Sequence, residues 1–152
     1  MNTQDVRDTQ EIKDKQKLQD EGLQGNEKIE NAILGLQQEA TQEMLAHTLT
    51  VIRRRMKEKG QLILAVEAPV GDDQLKIGTV KTADGKIWWA AFTSFEEELR
   101  GSSSVQSTFL TDMDQLFASA LQVPQIEGII VNPWNRTIML NKNLIKIILG
   151  NV

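Results

Sequence analysis

The chain has no cysteine and no tyrosine, one histidine and three prolines. The missing cysteine excludes disulfides, thiolate metal sites and cysteine nucleophiles together. A single histidine, His47, leaves too few ligands for a zinc site of ordinary spacing. Glycine is scattered rather than clustered: Gly71, Gly78 and Gly85 fall in turns and strands, so no phosphate-cradling loop precedes a helix. No cofactor is expected. No apolar run approaches the roughly 20 residues that cross a bilayer, so no membrane insertion is expected. The N-terminal MNTQDVRDTQEIKDKQ lacks a secretory signal, which gives a cytoplasmic expectation unless export uses a route that needs none. A dominant charge is missing too. The net charge is −4, without the basic excess of a nucleic-acid binder.

What is present fits one domain, since 152 residues bury about 70% of the unfolded surface without covalent staples. Residues 1–25 are polar, with Val6, Ile12, Leu18 and Leu23 as their few apolar side chains. They are expected to form a flexible tail, with helix formation against a partner as the alternative. Residues 26–152 should form a single α+β domain. Ile29, Ile33 and Leu36 predict a short helix. Thr41 then caps a longer one, whose face carries Leu45, Leu49, Ile52 and Met56 and which Gly60 ends.

Beyond Gly60 the period changes to two. LILAVEA (62–68), QLKIGTV (74–80) and KIWWAAF (86–92) predict an antiparallel meander, turned at Pro69–Asp73 and at Asp84-Gly85. A capped helix follows Thr93-Ser94, and Gly101–Ser104 ends it. VQSTFL (105–110) reads as a short extended piece, and Thr111 as the cap of a helix with Met113, Leu116, Phe117 and Ala120 inward. GIIVN (128–132) and TIML (137–140) are strands around a Pro133-Trp134-Asn135 turn, and Asn141 caps a final helix. The expected fold is α+β: a mostly antiparallel or mixed five-stranded sheet packed by helices, with a long N-terminal helix.

The order of features resembles a known family. A capped helix leads into an apolar strand. Ile87-Trp88-Trp89-Ala90-Ala91-Phe92-Thr93-Ser94 then runs into an acidic helix, and Gly128-Ile129-Ile130-Val131-Asn132-Pro133-Trp134 precedes a strand and a terminal helix. This is similar to the N-terminal domain of the SseB family, named for enhanced serine sensitivity. The likeness covers about residues 29–150. It implies an α+β fold of bacterial origin and neither a reaction nor catalytic residues. The chain departs from longer members by ending after this domain and by its polar N-terminal extension.

The candidate residues point to three kinds of function. Trp134, in the Asn132-Pro133 turn, is a large ring that is hard to bury locally, and exposed tryptophan marks binding surfaces. Its alternative role is a lid folded back on the core. Arg53 and Arg54 belong to a basic helix end that complements the helix dipole and could face an acidic partner. Asn132, Pro133, Trp89 and Phe92 join Trp134 as candidate partner contacts, and Trp88 and Trp89 point to opposite faces of one strand. These residues favour a non-enzymatic binding or adaptor module with an unidentified protein partner, or a homodimer, linked to a secretion or toxin-neutralising system. A small-metabolite sensor would instead use a cleft beside Trp89 and Phe92. A hydrolase or transferase would pair Glu96 or Glu97 with His47. Glu96, Glu97 and Glu98 otherwise read as solvated residues of a helix first turn.

Overall fold

The structure, a computed structural model, describes residues 21–67, 76–100 and 107–150. Residues 1–20, the Pro69–Asp73 turn and the Gly101–Ser104 segment lie outside the described residues. Residues 21–25, expected within the tail, contain a short 3-10 turn at Glu21–Leu23. The buried Arg55 holds it, donating to the carbonyl of Gly22 at 3.1 Å.

Two helices follow, α1 (Glu27–Gln38) and α2 (Gln42–Lys57). Thr41 caps α2 as its position predicts, accepting from the Met44 amide at 3.1 Å. Strand β1 (Gln61–Glu67) comes next, then β2 (Lys76–Ile77), β3 (Thr79–Lys81) and β4 (Ile87–Phe92). The short α3 (Phe95–Leu99) precedes β5 (Ser107–Asp112) and α4 (Met113–Leu121). The chain closes with β6 (Gly128–Val131), β7 (Ile138–Asn141) and α5 (Lys142–Leu149).

The α+β class is as expected, with one mixed sheet along the path β2–β1–β4–β6–β7, to which β3 adds on β4 and β5 on β1. Among the described residues it counts seven segments rather than five, for two physical reasons. The expected 74–80 strand wedges between β1 and β4 and pairs both, so it divides at Gly78. The Gly78 amide donates to Ala65 and its carbonyl accepts from Ala90. The piece expected at 105–110 is a full strand, matched to β1 over Ser107–Asp112. Thr111 consequently lies inside β5, and Asp112 takes the N-cap position of α4. The Asp84-Gly85 signal does form the β3–β4 hairpin turn, with Gly85 at φ +85°.

Strands β4 and β6 run parallel, Trp88 opposite Gly128 and Ala91 opposite Val131. Antiparallel β7 closes against β6, and Gly128 permits that approach: a Cβ there would stand 2.0 Å from the Leu140 carbonyl oxygen. The two faces of the sheet are covered unequally. Leu62, Leu64, Ala91, Ile129, Val131 and Leu140 pack under α1, α2, α4 and α5 around Phe117. Ile63, Ala65, Trp88, Ala90, Phe92 and Ile130 form a smaller cluster on the other face, with Leu23 and Leu110 against it. Each fully buried aliphatic or aromatic side chain contributes about 1.5–3 kcal/mol, so most of the stabilisation sits on the helix side. No described helix is long and apolar enough to cross a membrane.

Candidate functional site

Parallel β4 and β6 end side by side, and the chain leaves them at Thr93 and Asn132. In sheets with parallel strands the carboxyl ends are a common place for binding sites. A buried polar network occupies this end. The Asn132 amide continues the ladder, donating to the Ala91 carbonyl at 2.8 Å. Its side-chain oxygen accepts from the Thr93 amide at 2.9 Å, and its side-chain nitrogen donates to the Thr93 hydroxyl at 3.0 Å. That hydroxyl donates to Glu30 of α1 at 2.6 Å.

Arg136 draws the turn onto two helices. One guanidinium nitrogen donates to Glu30 at 3.2 Å, and Nε meets Glu97 of α3 at 3.0 Å. Asn135 donates to the same Glu97 oxygen at 3.2 Å, and the Thr137 hydroxyl to the Asn132 carbonyl at 2.6 Å. Glu97 is fully buried, and that oxygen is also approached by the Arg100 guanidinium, at 3.8 Å. Its other oxygen has no hydrogen-bond partner among the described residues. Asn132 and Arg136 both adopt left-handed backbone, φ +54° and +49°. Non-glycine residues rarely do so, and such outliers concentrate at functional positions. Between them Pro133 is half-buried, while Trp134 is 51% exposed at the tip.

The expected site residues therefore separate. Trp134 is on the surface, so the lid reading does not hold. Asn132 and Phe92, offered as contact residues, are 0% and 3% exposed: Asn132 is consumed by the network and Phe92 by the second apolar cluster. Phe92 and Trp89 lie on opposite faces of β4, so the sensor's cleft beside both does not form. Arg53 and Arg54 are exposed on α2, which packs on α1, α4 and α5, and neither bonds to the Trp134 turn. Arg53 rims a groove of about 420 Å³ between α2 and α5, floored by Leu45, Leu49 and Ile148.

His47 is exposed on α2 and lines a different groove of about 410 Å³ with Glu58. Glu58 is occupied by Arg55 at 3.2 Å, and neither Glu96 nor Glu97 lines that groove. The capping role expected near Glu97 is present, with Ser94 accepting from the Glu97 amide at 3.2 Å. The solvated role is not, since the Glu97 side chain turns inward to Arg136. Glu98 is half-buried with one enclosed oxygen, and burial raises its carboxyl above the ordinary value.

Sequence reasoning passed over Glu30, Arg136 and Asn26 and read Thr93 only as a helix start. It left Arg55 in the basic helix end with Arg53 and Arg54, whereas Arg55 is buried. Two signals were available. Glu30 sits beside Ile29 on the apolar stripe of α1. Arg136 is the one cation between two strands that read as buried. Asn26 and Arg55 form a second buried joint: Arg55 donates to the Asn26 side chain at 3.1 Å, and Asn26 donates to the Gln61 and Thr93 carbonyls. Comparison of this chain with protein families, curated proteins and solved structures finds no match.

Proposed function

We propose that the protein is a non-enzymatic binding module whose contact centre is the Trp134 turn and whose partner is another protein. The observation that carries the reading is a half-exposed tryptophan on a turn fixed from beneath by buried ion pairs and hydrogen bonds. A rigid turn loses little conformational freedom on association, so more of the indole's burial appears as affinity. Tryptophan is also the residue type most enriched among those that dominate binding energy. Pro133 flanks the ring and adds apolar area. The resemblance to SseB-type domains is compatible with an adaptor of this kind.

The test is capture from a lysate of the native host with wild-type chain and with Trp134→Ala, followed by titration of any partner retained. Removing the indole weakens association by about 2 kcal/mol or more, roughly 30-fold in Kd. Unchanged capture and unchanged Kd would remove the turn from the interface. Arg136 remains in both proteins, so a lost partner reports the ring rather than a collapsed turn.

A further inference from the structure

The outer edge of β5 is a self-complementary strand, and we propose that two copies of this chain pair through it into one continuous sheet. The backbone phase follows from one bond. The Met113 amide donates to the Gly60 carbonyl at 3.0 Å, one step beyond the six consecutive β1–β5 pairs. Bonded and non-bonded pairs alternate in an antiparallel ladder. Leu62–Thr111 and Leu64–Phe109 are thus bonded pairs, and the amides and carbonyls of Thr108, Leu110 and Asp112 point away from β1. The opposite side of β1 agrees. Ala65, which must face away from β5, accepts from Gly78 at 2.8 Å.

Among the described residues β5 pairs β1 alone. Natural edges of this length are usually guarded by lysine, proline or a bulge. Ser107–Asp112 reads Ser-Thr-Phe-Leu-Thr-Asp, and its register is unbroken. Phe109 is 43% exposed and Thr108 is exposed.

A second copy suits this edge because a two-fold axis at Leu110 pairs the stretch Thr108–Asp112 with itself, leaving Ser107 outside the ladder. Leu110 meets Leu110 of the mate, and the Thr108 hydroxyl meets Asp112, whose Oδ1 accepts from Gln61 at 3.0 Å and leaves its second oxygen as the acceptor. On the helix-covered face Phe109 meets Thr111, an aromatic opposite a β-branched residue. No like charges oppose each other. The outward amides and carbonyls of Thr108 and Leu110 fall opposite those of Asp112 and Leu110 on the mate, where the Asp112 carbonyl also accepts the first bond of α4. Strand β7, at the far edge, is only four residues long and turns directly into α5.

Sedimentation equilibrium of the full chain over a wide concentration range tests the pairing. The expected result is a monomer–dimer equilibrium reaching twice the chain mass. Thr108→Pro removes one outward amide without touching the β1 ladder, and it acts twice across the axis. It raises the dissociation constant roughly tenfold or more. Leu110→Lys places two cations together on the axis and does the same, with far-UV circular dichroism reporting that both variants fold. In wild type, hydrogen exchange at the Thr108, Leu110 and Asp112 amides slows as concentration rises. A monomer at every concentration, a Thr108→Pro variant that dimerises like wild type, or concentration-dependent protection at β7 instead would each overturn the pairing.

Discussion

Arg136 carries two acidic partners from two helices, and the cost of losing it follows from where they lie. Glu97 is fully buried and Glu30 nearly so. Removing one member of such a set leaves uncompensated charge in a medium that solvates it poorly. Arg136→Met should therefore destabilise the fold by about 3–5 kcal/mol, read as a lower urea midpoint. Combining it with Glu30→Gln and Glu97→Gln should recover part of that loss, because the stranded charges go with it. A midpoint within error of wild type for the single variant would mean that Arg100 and solvation, not Arg136, compensate these carboxylates.

At the scale of the element, α3 is five residues long and too short to be stable by itself, so its placement depends on what it buries. Glu98 works against that placement at neutral pH. Its carboxyl titrates above the ordinary value because burial disfavours the charge. The folded chain then holds this proton to higher pH than the unfolded chain does. Stability falls as pH rises from the unfolded value through the folded one. Glu98→Gln should raise Tm at neutral pH and leave it unchanged in acid below the carboxylate range. An equal rise at both would assign the gain to packing.

Elements were legible where their causes are local. The Leu45–Met56 stripe, the Thr41 and Asn141 caps and the Asp84-Gly85 turn each act within a few residues, and each forms as read. The division of 76–81 between two partners, and the promotion of 107–112 to a full strand, depend on which strands meet after collapse. No period in either segment encodes that. Glu97 was misjudged for the same reason: its position on the cap was local, and its burial depended on an arginine that the fold brings from 39 positions away.

At the scale of the molecule, the sheet is a partition between a thick helical layer and a thinner second face. The parallel pairing of β4 with β6 requires the chain to pass through α3, β5 and α4 between them, and it brings Thr93 beside Asn132. That crossover was not readable from a sequence suggesting hairpins. It sets the carboxyl ends of both strands together and gives the Trp134 turn its footing.

The three tryptophans sit in three different surroundings. Trp88 is enclosed on the thin face, Trp89 is packed against the helical layer, and only Trp134 stands half in water. Their emission should accordingly divide. Iodide should extinguish most strongly a red-shifted minority of the light, absent from Trp134→Ala, and reach the bluer remainder from Trp88 and the partly buried Trp89 far less. The protein thus supplies its own optical signal at the surface where occupancy matters, and a bound partner would be seen as light that iodide can no longer reach.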